Sequence, residues 1–293
     1  MVLRISRTGA RWRLYHDHLP AIPDPRGPAG AGVRGRVRGI PADADGAVVG
    51  VIPEKPLNGK AYGSIPHLPG SKFGNRDDKG LNEKAARFFV DGAGKEDLII
   101  VLEKLDGSCV SVANVNGEII PLIRSGYRAQ TSQYEQHHLF HDWVMAHRSR
   151  FDRLLNGERI CGEWLAQAHG TRYNLDGRDP FVAFDLFGKS GVRACYKNLM
   201  TYCAMNDLKY APVLYWGLDR GLGCQIKTAL EALGTRGYYG AVDLTEGAVW
   251  RWERSDPKFP IMMAKYVRPE SHPGRYLESE TGNDPIWNWR PAP

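Results

Sequence analysis

Apolar positions along the chain change period several times, and each change marks an element. Residues 97–103 contain the unbroken run Leu98-Ile99-Ile100-Val101-Leu102, which reads as a buried strand. Ser108 to Val115 alternates with period two. Asn116-Gly117 follows as a type I′ hairpin signal, so Glu118 to Ser125 reads as the returning strand. Helical spacing takes over across 132–155, with Tyr134, Leu139, Trp143, Phe151 and Leu154 among its apolar positions. Further strands are expected at 158–165, 180–187, 246–253 and 260–267, and helices at 193–206 and 224–234. In this reading the first three strands form a β-meander, with Lys104–Gly107 as the turn of its first hairpin. A meander, a helix, strands, helices and again strands predict an α+β fold of mostly antiparallel sheet with flanking helices.

Before residue 58 no such period exists. The stretch Pro20-Ala21-Ile22-Pro23-Asp24-Pro25-Arg26-Gly27-Pro28 and the Gly/Arg run after it predict a disordered basic arm over 1–57, leaving 58–293 as the folded domain. The net charge of +6 suggests an anionic partner, but the first 60 residues hold ten Lys/Arg against five Asp/Glu. The body is therefore nearly neutral, and the charge says little about what the fold binds. Arg34, Arg36 and Arg38 suit either a solvated tail or contacts to phosphates. The five cysteines are scattered, without a C-x-x-C pair, which predicts a reducing compartment and neither a zinc site nor a disulfide frame. No apolar stretch is long enough for a membrane span or a signal core, so a cytoplasmic protein is expected.

Candidate chemistry starts at Lys104-Leu105-Asp106-Gly107. Four residues of this kind fit a solvated turn, or a lysine fixed by rigid strands where a glycine lets a phosphate approach. With Asn116-Gly117 as the turn, position 124 falls opposite 109, so Arg124 returns to the sheet end that carries Lys104. There it is either an exposed strand-end arginine or a partner that lowers the lysine pKa and offers a forked donor to a phosphate. Glu163, Asp185 and Lys265 sit inside apolar strands, and Glu246-Gly247 opens another. Unpaired buried charge is costly, so such groups should face a polar cleft, a metal or each other. Their convergence would make a site for a polyphosphate and a divalent cation.

In order, K-x-D-G at Lys104, Ile123-Arg124-Ser125-Gly126, Gly162-Glu163-Trp164, Phe184-Asp185, Glu246-Gly247-Ala248-Val249 and Ala264-Lys265-Tyr266-Val267 resemble the motifs of the covalent nucleotidyltransferase superfamily of DNA ligases, RNA ligases and mRNA capping enzymes. Cys161–Leu165 with His169 and Tyr173, the ending Lys265–Pro269, and the upstream Tyr62–Ser71 segment are similar to the RNA ligase branch. The resemblance implies an ATP-grasp-like ligase domain with no C-terminal OB barrel, since 28 residues after Lys265 are too few for one. It implies an ATP-dependent RNA ligase needing Mg2+ or Mn2+. Lys104 would take AMP from ATP as a phosphoramide, pass it to a 5′-phosphate end, and let a 3′-hydroxyl displace it. Arg124 and Glu163 would contact the ribose and phosphate, Phe184 would stack on adenine, Glu246 and Glu163 would place the metal, and Lys265 would neutralise the α-phosphate. The partners implied are nucleic-acid ends, RNA foremost, with no membrane and a monomeric chain. A minimal DNA ligase and a weakened nucleotide- or nucleic-acid-binding relative are the alternatives. The pattern departs from the superfamily at Met263 and Val267, where a second lysine is expected beside Lys265; Arg268 is a candidate substitute.

The remaining candidates have plainer expectations. His67 and His137-His138 are expected to be structural or exposed rather than metal ligands. Asp106 should shape its turn, Trp164 should pack in the core, and Trp287–Arg290 should pack on the body. Asp77-Asp78-Lys79 is expected to be a solvated loop within reach of a substrate strand.

Overall fold

The apolar run from Leu98 becomes a central strand with buried residues on both faces. It lies in a computed structural model that describes residues 54–74, 78–91, 94, 96–218 and 222–292. In chain order the elements are α1 (Glu83–Val90), β1 (Leu98–Lys104), β2 (Ser108–Val115), β3 (Glu118–Ile123), α2 (Glu135–Ala146), β4 (Arg159–Trp164), β5 (Phe181–Phe187), α3 (Tyr196–Met205), β6 (Lys209–Tyr210), β7 (Val213–Gly217), α4 (Ile226–Leu233), β8 (Gly247–Glu253), β9 (Met262–Val267) and α5 (Glu278–Thr281). The expected basic arm falls largely on residues 1–53, outside the described residues. Of the rest, Leu57 packs beside Ala61 and Ile120. No helix among the described residues is long and apolar enough to cross a membrane.

The strands form two sheets, ordered β7-β1-β8-β9 and β3-β2-β4-β5-β6. All pairings are antiparallel except β5 with β6. This is the α+β, mostly antiparallel architecture that the periodicity predicts. Asn116 and Gly117 have φ of 55° and 86°, as a type I′ turn requires, and they set the β2–β3 register of Val110 against Ile123. Helix α1 starts where the Asn82 side chain accepts a 2.9 Å hydrogen bond from the Ala85 N–H.

Two expectations fail. β1 and β2 are not a hairpin: they belong to different sheets, and Lys104–Gly107 carries the chain across between them. No residue from 104 to 107 has the positive φ that a tight hairpin turn demands. The helix expected over 132–155 ends at Ala146, followed by a short 3-10 turn at 148–150. Beyond it Phe151 and Leu154 are fully buried, so this segment turns into the core instead of continuing along the surface.

One buried cluster joins Ile100 and Leu102 of β1 to Val110, Ile160, Trp164 and Phe181 of the other sheet and to Phe140 and Trp143 of α2. Each large side chain buried this way contributes about 1.5–3 kcal/mol. A polar strut also connects the sheets. Asp185 of β5 takes Arg251 of β8 at 2.6 Å, Arg193 at 2.7 Å and the Tyr62 hydroxyl at 2.8 Å. Asp185 and Arg251 are essentially without solvent exposure.

Candidate active site

The crossing from β1 to β2 ends at a cavity of about 750 Å3 walled by both sheets. Lys104 is the last residue of β1 and pairs in register with Gly247, the first of β8, so Glu246 comes to lie beside the lysine that lines the cavity. The Lys104 Nζ donates to the Glu246 carboxylate. A Cβ at Gly247, where φ is 156°, would collide with the Tyr266 carbonyl; this is why glycine follows the glutamate. Gly107 is equally constrained, because a Cβ there would strike the Trp164 carbonyl. That close approach brings the Gly107 N–H to Glu163 Oε1 at 3.0 Å. Glu163 itself is placed by the β2–β4 register, opposite Cys109.

Asp106 is buried, accepts from the Gly170 N–H at 2.7 Å and donates its own N–H to the Tyr173 hydroxyl at 2.9 Å. It anchors the crossing to the segment that brings His169 into the cavity wall. Arg124 follows β3 directly, and its carbonyl accepts the N–H groups of Ala61 and Tyr62. Its guanidinium donates to Ser64 Oγ at 2.9 Å. Phe184 lines the cavity from β5 with the Tyr62 ring edge-on at 5.0 Å. Lys265 enters from β9 and reaches Asp78 Oδ1 at 3.4 Å.

The charges set each other's protonation. Burial alone would push Lys104 down, but Glu246, Glu163 and Asp106 outweigh it and hold the ammonium well above the usual lysine range. Of the two readings of Arg124, the one in which it lowers the lysine pKa is not met, since the acids dominate. Burial raises Glu163 to about 8 and Glu246 to about 7, against the pull of Lys104 in both cases. Burial and then Lys104 lower Lys265. His169 is held neutral by burial, down to about 4. Lys104 retains 21% of its side-chain exposure, so an incoming phosphate can reach it.

All six predicted site residues, Lys104, Arg124, Glu163, Phe184, Glu246 and Lys265, share this cavity or, for Glu246, hold the lysine that opens into it. Asp185 does not belong here; it is consumed by the inter-sheet strut. Arg268 does not replace the second lysine. Its guanidinium caps the C-terminal end of α4 at the Leu230 and Gly234 carbonyls, where the helix dipole favours a cation. Met263 stands in the cavity wall where a lysine was expected. Asp78 is not solvated but 11% exposed and paired with Lys265. Asp77 lies outside the described residues. His137 is bridged by Ser108 and Ser132, and Trp289 packs on the buried Trp164. Tyr62, visible in the sequence as part of the Tyr62–Ser71 segment, and Asp78, expected only as a solvated loop residue within reach of a substrate strand, also line the cavity. Nothing local in the sequence marks the pairing of Asp78 with Lys265.

Lys104, Lys265, Arg124 and Glu163 thus line one cavity between antiparallel sheets, with Phe184 and Tyr62 in its wall and Glu246 paired with Lys104. The RNA ligase family model matches residues 97–267, so the chain belongs to the RNA ligase family. No curated protein matches it significantly. Among solved structures it is similar to a Naegleria gruberi RNA ligase with AMP and Mn, at 16% identity over 59% of this chain and 50% of that one, TM-score 0.42. It is similar to an archaeal ATP-dependent RNA ligase at 19% identity, over 59% and 43% of the two chains, TM-score 0.38. A Naegleria gruberi RNA ligase with ATP and Mn gives 17% identity, 59% and 50% coverage, and TM-score 0.41. The matched region thus spans about half the length of these relatives or less.

Proposed function

We propose that the protein is an ATP-dependent RNA ligase working through a lysyl-AMP intermediate. The observation that carries this reading is the convergence of Lys104, Glu246, Glu163, Arg124, Phe184 and Lys265, drawn from both sheets, on one site. Lys104 Nζ attacks the α-phosphorus of ATP, the bond to pyrophosphate breaks, and the amine loses its proton. Lys265 and Arg124 lie where they can offset phosphate charge, and Phe184 offers its face to the base. AMP then passes to a 5′-phosphate, and a 3′-hydroxyl displaces it as the strand is sealed.

Among the described residues no group of three or more His, Cys, Asp or Glu is arranged to hold a metal ion. Glu246 and Glu163, the two glutamates whose charges act on Lys104, would hold Mg2+ or Mn2+ jointly with substrate phosphates, as this cation is commonly bound by one or two carboxylates. When bound, the cation neutralises phosphate charge. Unpaired cysteines fit a cytoplasmic location, and the oligomeric state expected is a monomer. The experiment is sealing of nicked RNA, RNA–DNA hybrid and DNA with ATP and Mg2+; joining of the RNA-containing nicks is expected, and joining of DNA alone would move the reading to a DNA ligase. Met263 in the cavity wall favours a second reading, a nucleotide-binding relative with weakened turnover.

The first step should be strongly pH-dependent. Lys104 is held as an ammonium, so the free amine grows about tenfold per pH unit below its pKa. Glu246 and Glu163 lose their protons near 7 and 8, so the ability to hold a cation also rises with pH. Both effects have the same sign. Initial rates of lysyl-AMP formation from pH 6 to 9 should climb about tenfold per unit or more steeply below pH 7, and a flat profile would contradict this charge arrangement.

A further inference from the structure

Lys265 is the sole lysine of its motif, and its four-carbon stem is flexible. Its backbone is gripped from upstream: Lys265 donates its N–H to the Pro66 carbonyl at 2.9 Å, and Leu68 donates to the Lys265 carbonyl at 2.8 Å. The same upstream segment sends back side chains. Ser71 Oγ accepts the Val267 N–H at 2.9 Å and lies 2.6 Å from His67 Nδ1. When the serine hydroxyl donates to Nδ1, the neutral imidazole carries its hydrogen on Nε2. His67 is 1% exposed, and its Nε2 has no hydrogen-bond partner within normal reach. The atom it faces is Asp78 Oδ1, at 3.4 Å. That same oxygen receives the Lys265 Nζ at 3.4 Å, while Asp78 Oδ2 accepts the Gly74 N–H at 2.9 Å.

The groups close a ring that leaves β9 at the Val267 backbone and returns to β9 at the Lys265 side chain. Ser71, His67 and Asp78 all precede the matched 97–267 segment, whereas Lys265 and Val267 lie within it. We propose that Asp78, oriented by His67 and Ser71, is a positioning residue that aims the Lys265 ammonium into the cavity and keeps it charged there. The proposal rests on the ligase reading for its purpose, though not for its geometry. The groups facing Lys265 are Lys104, Glu246, Asp78 and, beyond Asp78, His67. Lys104 and burial disfavour the Lys265 charge, and Asp78 opposes them. A phosphate entering the site would meet a lysine already aimed, so less ordering is required when the nucleotide binds. The arrangement offsets the absence of a second lysine at Met263 and Val267.

The test is trace acetylation of the free protein with acetic anhydride at neutral pH, read lysine by lysine by mass spectrometry with exposed Lys227 as the internal reference. In Asp78→Asn, Lys265 should acetylate faster by on the order of tenfold, a shift of about one pKa unit, while Lys227 is unchanged. His67→Gln should give a smaller acceleration in the same direction, and it serves if Asp78→Asn does not fold. Asp78→Glu should return Lys265 toward the wild-type rate. In lysyl-AMP formation, Asp78→Asn should lower the rate at saturating ATP more than it raises KM. Lys265 acetylating at the wild-type rate in both Asp78→Asn and His67→Gln would overturn the proposal. The acetylation needs no ATP. If the wild-type protein took no AMP while Lys265 responded as stated, the ligase reading would fail and the Asp78–Lys265 pairing would stand.

Discussion

Lys104→Ala is expected to reduce covalent AMP labelling to background while leaving the fold intact. The side chain ends at the cavity with part of its surface open, so little apolar packing is lost on truncation. What disappears is the nucleophile. Lys104→Arg should fail equally: it keeps a positive charge between Glu246 and Glu163, but a guanidinium stays protonated and cannot attack phosphorus. The two variants together separate nucleophilicity from electrostatics. A strand whose 5′ end already carries AMP bypasses the lysine, so both variants should retain some joining of such a substrate. Full labelling of Lys104→Ala would place the nucleophile elsewhere and dismantle the proposed chemistry.

Asp185→Ala should have the largest effect on stability. Asp185 holds Arg251 and Arg193 and receives the Tyr62 hydroxyl, all at or below 2.8 Å. Its removal leaves Arg251, 1% exposed, without that carboxylate in the space between the sheets. Breaking a buried pair in this way costs about 3–5 kcal/mol. Arg124→Ala is the useful contrast, since an exposed side chain should change stability by no more than about 0.5 kcal/mol. Denaturant unfolding monitored by tryptophan fluorescence measures both. Equal midpoints for Asp185→Ala and the wild type would show that Asp185 is not a structural strut.

The comparison of Asp185 with Glu163 shows where sequence reasoning reached its limit. Both are acids inside apolar strands, and alternation alone does not say which face meets a cavity and which meets another charged strand. The register shift between Cys161 and Gly162 separates the two acids: Asp185 pairs with Cys161 before it, and Glu163 follows it. Strand positions were legible because apolar runs and the Asn116-Gly117 turn are local signals. The sheet to which β2 belongs was not, because a three-residue link reads the same whether the strands it joins pair or part. Arg124 came to the right place by a register that held, and three carboxylates around the amine, not the arginine, set the charge state of Lys104. Asp78 was illegible for a different reason. Its meaning comes from Lys265, 187 positions away, and from the buried His67 that faces the same carboxylate oxygen. Arg268 shows the converse: a cation next to the last motif, drawn off by the free carbonyls of a helix end.

The central claim is covalent nucleotide transfer through Lys104, and it is tested most directly on the wild-type protein. The protein is incubated with Mg2+, or with Mn2+, and α-labelled ATP or GTP, then digested and its peptides mapped. The expected result is AMP on the peptide containing Lys104, from ATP and not from GTP. Label from GTP would point to capping chemistry, and no covalent label under either metal would contradict the account.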